Sequence, residues 1–190
     1  DDTPDVTDIT KLLSNEAISS AGVKPYSQGF ICEPRQSEGG VCWYFANGDV
    51  VGQNREYLCI IDVNHLSQEE LRQHYPKAYQ HVRDYVMPKR LHERNSRLRK
   101  EWWTYEANRN DLRDALRDIE RYFLTLENSP RRYFLSLEHN VLPDQKLRVV
   151  ASDDYAILSV LSSRCHENFS VQFGGRTGKA NTPVYNSRCF

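Results

Sequence analysis

Apolar positions in this chain fall into short continuous runs in the first third, helical spacing in the middle, and alternating short runs and loops toward the end. Turn-forming residues dominate the first thirty positions until Gly29-Phe30-Ile31-Cys32, which predicts a short strand that Pro34 ends. A polar loop, 35–40, separates it from a run rich in β-formers at 41–45, stopped by Asn47-Gly48-Asp49, where Asn-Gly signals a turn. The continuous apolar stretch 57–63 predicts a strand covered on both faces. Ser67-Gln68-Glu69-Glu70 has the form of a capping box, so a helix starts there. Pro76 suits a first helical turn and not an interior, which predicts one helix ending near His74 and another running from Pro76 to about Val86. Residues 88–101 hold only two strongly apolar side chains and read as a surface segment.

From Asn110, the positions Leu112, Ala115, Leu116, Ile119 and Phe123 follow the spacing of one apolar helical stripe. An echo follows, Arg-Tyr-Phe-Leu-Thr-Leu-Glu at 121–127 and Arg-Tyr-Phe-Leu-Ser-Leu-Glu at 132–138, joined by Asn128-Ser129-Pro130-Arg131. Its period is too short for a solenoid, and two β-capable runs around a polar turn predict a hairpin. Strands are expected at 147–151 and 155–158, a helix over 159–173, and a Gly- and Asn-rich loop over 174–190. The whole reads as one α+β domain, a mixed sheet with packed helices. Residues 1–66 supply mainly strands and loops, 67–124 a helical and basic region, and 125–190 a hairpin, strands, one helix and a C-terminal loop.

With 190 residues, of which 39% are apolar, the chain can bury a core without metal or disulfide support. Its net charge of -1 argues against a duplex-binding protein of the strongly basic kind, but the mean hides an uneven distribution. Residues 1–82 carry 6 Lys/Arg against 12 Asp/Glu, whereas 83–132 carry 13 against 9, which directs attention to a basic surface in the middle of the chain. The 5 cysteines include no Cys-x-x-Cys pair and read as reduced thiols of a cytoplasmic protein. Cys165-His166 are adjacent, a poor arrangement for two ligands of one tetrahedral ion, so no metal site is expected. No run approaches the roughly 18 apolar residues of a membrane span, and no membrane partner is expected. The acidic start is unlike a signal peptide, and the absence of Met at position 1 points to a segment of a longer polypeptide.

Candidate chemistry is sparse. Arg109, Arg113, Arg117 and Arg121 recur at four-residue intervals, either as a solvated face paired with Asp114 and Asp118 or as partial phosphate contacts. The stretch 174–179 resembles a phosphate-binding loop but has Phe173 in place of its first glycine and Ala180 in place of its hydroxyl residue, so it reads as plain loop. Asp144-Gln145-Lys146 lacks the upstream acidic partner of a nuclease site, and Pro143-Asp144 is a common turn pair. Ser162, Ser163 and His166 supply a nucleophile and a base by type, without a nucleophile elbow around them. Trp102-Trp103 with Tyr105, between Arg99-Lys100 and Arg109, is either anchoring core or a surface that stacks on bases.

An ordered set of segments resembles the C-terminal target-recognition region of the MmeI-type DNA methyltransferases. It comprises Asn15-Glu16-Ala17-Ile18-Ser19-Ser20, Gly22-Val23-Lys24, Gly29-Phe30-Ile31, Asn47-Gly48-Asp49, Ile61-Asp62, Leu66-Ser67, Tyr75-Pro76 and Tyr79-Gln80-His81-Val82. It continues with Trp102-Trp103, Glu106, Arg109, Leu112-Arg113, Ala115-Leu116, Arg121-Tyr122, Leu142-Pro143-Asp144, Leu158, Val160-Leu161-Ser162-Ser163-Arg164, His166, Thr182-Pro183 and Arg188-Cys189-Phe190. Order and spacing hold over nearly the whole chain. The stretch from Pro34 to Trp43 is shorter than in relatives, and the Asn/Asp-Pro-Pro-Tyr/Phe motif of methyl transfer and a Gly-rich cofactor loop are absent.

The resemblance implies a module that reads a short sequence on double-stranded DNA for an adenine-specific methyltransferase of the restriction-modification type. The catalytic domain would lie upstream in the same polypeptide; S-adenosylmethionine would bind there, and this segment would hold no catalytic residue and no cofactor of its own. The family's specificity positions map onto the turn after Arg121-Tyr122, here Glu127, Asn128 and Ser129, and onto Ser162, Arg164 and His166. Arg suits guanine and Asn suits adenine, so Arg164 and Asn128 lead as base readers, with Ser129, Ser162, His166 and, toward a cytosine amine, Glu106. Arg97, Arg99, Lys100, Arg131 and Arg132 are the phosphate candidates, because they sit on polar segments with no apolar stripe to fold against. Each has a structural alternative: Arg164 an ion pair, Asn128 a turn, His166 a helix cap or interface. A protein-interaction domain of the same polypeptide is the competing reading, and an independent Ser/His/Asp hydrolase a distant third.

Overall fold

The computed structural model describes residues 18–33, 40–53 and 56–190. Asn15-Glu16-Ala17, Pro34 and most of the polar loop after it lie outside the described residues. The fold is α+β, with one antiparallel and one mixed four-stranded sheet and a small ribbon.

Strands β1 (Ser19–Ala21), β8 (Leu147–Val150), β5 (Arg121–Leu126) and β6 (Leu135–Glu138) form the antiparallel sheet in that order. The echo is indeed a hairpin, with Tyr122 opposite Leu137 and Leu124 opposite Leu135. Tyr122, Phe123 and Leu124 of β5 are apolar in succession because both faces are covered: Tyr122 and Leu124 join Leu147, Val149, Leu112 and Leu116 on one side, while Phe123 joins Val150 and Leu161 on the other. The mixed sheet runs β2 (Ile31–Cys32), β4 (Leu58–Ile61), β3 (Cys42–Ala46) and β7 (Val141–Pro143), the last pair parallel. The turn after Pro143 passes the chain from one sheet to the other: Asp144 takes the Lys146 N–H on its carboxylate at 2.9 Å and the Leu147 N–H on its carbonyl at 2.9 Å.

Helices α2 (Gln68–His74) and α3 (Pro76–Tyr85) lie where Ser67-x-x-Glu70 and Pro76 place them, and both halves of the capping box are formed. Leu71, Ala78 and Val82 close over the mixed sheet together with Trp102 and Tyr105. Trp102 is core, and Trp103 is half-buried with its indole N–H donated to the Leu66 carbonyl at 3.0 Å.

Several expectations are overturned. Asn47 does not turn a hairpin; its side chain accepts the N–H groups of Asp49 and Val50 and starts helix α1 (Gly48–Gln53), whose Val50 and Val51 are buried. The segment 88–101 is not all surface, since it forms α4 (Met87–Arg90) and α5 (Ser96–Lys100) and buries Arg90 and Leu98. Helix α6 (Asn110–Leu116) stops before Ile119, so Phe123 matches the helical stripe only by coincidence and belongs to β5. The arginine series is therefore no helical stripe. Arg109 precedes the helix, Arg113 reaches Asp62, Arg117 pairs with Asp114, and Arg121 stands on a strand.

Residues 155–158 are helical instead of extended, because the Asp154 carboxylate accepts the Ala156 N–H and opens α7 (Tyr155–Leu161). The single helix expected over 159–173 is broken at Ser162-Ser163, where Ser163 caps α8 (Arg164–Phe173). The C-terminal loop contains a ribbon of β9 (Arg176–Thr177) and β10 (Thr182–Pro183). None of the five cysteines is in a disulfide; Cys32 and Cys42 sit Sγ to Sγ at 3.3 Å, and that contact together with burial pushes the Cys32 thiol up.

Candidate nucleic-acid interface

The connection from β5 to β6 is held from three sides. Glu127 donates its N–H to the Lys146 carbonyl at 2.8 Å and accepts the Tyr185 N–H at 2.7 Å, and its carboxylate meets Arg148 at 2.5 Å. Asn128 bridges Val184, and the Ser129 N–H reaches the Pro183 carbonyl at 3.3 Å. Ser129 is itself buried and donates its hydroxyl to the Arg131 carbonyl at 2.6 Å, which fixes the turn that presents Asn128 and Arg131.

Tyr185 then joins this turn to the start of α8. Its hydroxyl lies 2.9 Å from His166 Nε2, and Phe134 packs edge-on against both rings. Arg132 lies over the Tyr185 ring at 5.0 Å and donates to the Thr125 hydroxyl at 3.1 Å and to the Leu126 carbonyl. Burial, with the Arg132 charge beside it, pulls the His166 imidazole down from its ordinary value. Burial likewise pushes the Tyr185 phenol up, so this contact joins a neutral imidazole to a neutral phenol at neutral pH.

The outcome for each candidate is distinct. Asn128, Arg131, Ser162 and Arg164 are exposed. Ser129 faces inward, and His166 is half-buried against Tyr185. Arg132, expected on a polar segment with no apolar stripe to fold against, lies over the Tyr185 ring, and its guanidinium is spent on internal acceptors. The Ser163 hydroxyl oxygen accepts the His166 backbone N–H at 3.2 Å, and the imidazole goes to Tyr185, so no nucleophile–base contact forms there.

The remaining candidates gather at another corner. Glu106 is ion-paired with Lys24 at 2.6 Å. Arg97 clasps the turn before it, donating to the carbonyls of Tyr105 at 3.2 Å and Glu106 at 2.7 Å. Arg99 donates to the Glu93 carbonyl at 2.6 Å, whereas Lys100 is exposed with no side-chain bond among the described residues. Sequence reasoning missed Tyr185, Phe134 and Arg148, which hold the interface together. Their signal was faint: an aromatic in a Gly- and Asn-rich end, and an arginine inside an otherwise apolar strand.

A cleft of about 550 Å³ between α2 and α3 is lined by Arg, Gln, aromatic, Pro and Met side chains. It carries no carboxylate, His, Ser or Cys, and hence no acid–base pair. Among the described residues no three His, Cys, Asp or Glu side chains converge as a metal site would require, and no helix is long and apolar enough to cross a membrane.

Comparison with known proteins adds one kind of information. No protein-family model matches the chain, and no curated protein matches it. Its fold is that of part of a solved restriction-modification enzyme. The structure of the type IIL restriction-modification enzyme MmeI in complex with DNA superposes with a TM-score of 0.71 at 17% identity, over 90% of this chain and 23% of that one. At that identity the likeness is one of fold, and the chain spans less than a quarter of the MmeI polypeptide.

Proposed function

We propose that this chain is a sequence-reading module for duplex DNA within an N6-adenine methyltransferase polypeptide of the restriction-modification type. The observation that carries the reading is the Tyr185 junction, which brings the 128–131 turn and the start of α8 together with Asn128, Arg131 and Arg164 exposed. The fold it shares with a DNA-bound restriction-modification enzyme supports it. In this reading Arg164 pairs with a guanine edge and Asn128 with an adenine edge, and Ser162 adds a short polar contact. Arg131 and Lys100 hold phosphates and set register. Ser129, Arg132 and His166 act one layer below, fixing the shape of the reading surface, and Glu106 acts through its pair with Lys24. An upstream domain would bind S-adenosylmethionine and methylate an adenine flipped from the duplex held here.

The test is selection of bound duplexes from a randomised pool, followed by affinity measurements on the enriched sequence and a scrambled one. Wild type is expected to prefer the enriched duplex, and Arg164→Ala to lose about tenfold or more on it, the worth of one bidentate base contact, with little change on the scrambled duplex. Equal losses on both would remove Arg164 as a reader. Absence of any salt-dependent duplex binding would remove the DNA reading and favour a protein-interaction domain.

A further inference from the structure

Tyr26 stands where a tyrosine is costly. Its φ of 58° lies in the left-handed region, and the residue is 53% exposed, so little packing compensates. The conformation is imposed from both sides. The Pro25 carbonyl is held by Arg90 Nη2 at 2.8 Å, and the Ser27 side chain caps the following 3-10 turn by accepting the Gly29 N–H at 3.1 Å. Upstream, Lys24 is zipped to Ala107, with N–H to carbonyl distances of 2.9 Å one way and 3.2 Å the other.

Two cations flank this one ring. Lys24 Nζ lies 5.3 Å and Arg90 Cζ 5.6 Å from its centroid, both within cation–π range. Lys24 is balanced by Glu106. Arg90 makes no ion pair among the described residues: it is 1% exposed, its second bond goes to the Thr104 carbonyl at 3.3 Å, and its Nε and Nη1 meet no acceptor. Burial pulls the Arg90 guanidinium down from its ordinary value, only partly opposed by the charges of Glu93 and Glu106. Arg97 grips the same 104–106 turn from α5, which also carries Arg99 and Lys100, and pairs with Glu101 at 3.5 Å.

From the strained, exposed ring and the two cations set against it, we infer that Tyr26 is a stacking platform for an unpaired nucleobase, with the partly exposed Lys24 beside the adjoining phosphate. An aromatic face among cations takes any base, since every base has a π-face. This deepens the DNA reading and rests on it: Asn128 and Arg164 read paired bases, whereas Tyr26 takes a base that has left the stack.

The experiment compares a short labelled duplex, fully paired, with the same duplex carrying one unpaired thymine, using the 190-residue chain. Wild type is expected to bind the second about tenfold more tightly, the worth of one stacked base. Tyr26→Gly removes the ring and relieves the backbone, so it is expected to abolish the preference while its melting temperature stays at or above wild type. Tyr26→Asn, a second ring-less residue that tolerates this φ, should do the same, and Tyr26→Trp should keep the preference. Equal binding of the two duplexes by wild type, or a preference that survives in Tyr26→Gly or Tyr26→Asn, overturns the inference while leaving duplex recognition standing. Failure to bind either duplex overturns both.

Discussion

Asp62 is the residue whose removal tests most directly how the fold holds its functional corner. It is 2% exposed at the end of β4, and its carboxylate takes Arg113 from α6 at 2.6 Å and the Asn64 side-chain amide at 2.8 Å. Asn64 passes the constraint on by accepting the Tyr105 N–H at 2.6 Å, and the Tyr105 hydroxyl returns to the Ile61 carbonyl at 2.8 Å. One carboxylate therefore ties a strand, a helix and the turn that carries Glu106. Removing one member of a buried pair costs about 3–5 kcal/mol, because the other is left desolvated and unpaired. The Arg113 side chain is 24% exposed and keeps the Asn108 carbonyl at 2.9 Å, so Asp62→Ala is expected near the lower end, about 3 kcal/mol. Arg113→Ala strands a carboxylate that is 3% exposed and should cost at least as much. For a chain of this size that is a fall in melting temperature of roughly 6–12 °C. Denaturant unfolding of both single variants and the double variant gives the coupling, expected at about 2 kcal/mol. A coupling below about 0.5 kcal/mol would show that the pair does not hold the corner and would refute the reasoning.

Three further outcomes follow from local geometry. A Cβ on Gly174 would sit 1.7 Å from the Val184 carbonyl oxygen and 2.8 Å from that of Ser170, so Gly174→Ala should destabilise by about 3 kcal/mol or more and loosen Tyr185, read by hydrogen exchange of the 182–185 amides; a neutral substitution would contradict the close approach. His166 has a folded pKa below its ordinary 6.5, so its contribution to stability is full above about pH 6.5 and is lost as pH falls through the folded value; His166→Gln should flatten that part of the stability–pH curve, and an unchanged curve would count against a buried neutral imidazole. Ser67→Ala removes the acceptor of the Glu70 N–H at 3.2 Å and should cost about 1 kcal/mol in the same unfolding assay, whereas no cost would mean that α2 is set by tertiary packing alone.

What was legible in the sequence was whatever local chemistry decides. Ser67, Glu70 and Pro76 act within one helical turn, and α2 and α3 start where they say. The 121–138 echo supplied two β runs and a turn, and the hairpin formed. Failures came where one residue serves two structures. Asn47-Gly48 fits a turn and a helix cap equally, and the burial of Val50 and Val51 chose the cap. Tyr155, Ile157 and Val160 favour strands by type, but the Asp154 cap and the packing of Ile157, Leu158 and Leu161 on the outer face of the antiparallel sheet outweighed them. The site was legible as segments and not as roles. Whether Arg132 and His166 point outward depends on Tyr185, whose contact with His166 spans 19 residues of sequence and has no periodic signature.

The same distinction changes what the basic middle of the chain means. A surplus of 13 cations over 9 anions in 83–132 reads from sequence as a phosphate-facing strip, yet many of its arginines work as pins on backbone carbonyls. Arg90 holds Pro25, Arg97 the 105–106 turn, Arg99 Glu93, and Arg132 Leu126. A planar fork with five donors suits that work, and a lysine does not replace it. Of the five phosphate candidates only Lys100 and Arg131 stand free of side-chain bonds among the described residues. Each neutralised phosphate contributes about -0.9 to the slope of log affinity against log salt, so the 190-residue chain should show a slope of about -2, not the -4 to -5 that all five candidates would give. Lys100→Ala and Arg131→Ala should each flatten it by about one, while Arg97→Ala should lower the melting temperature and leave the slope nearly unchanged. A steep wild-type slope that Arg97→Ala flattens would mean that the clasp on the 105–106 turn opens on DNA, and that the arginines are phosphate ligands after all.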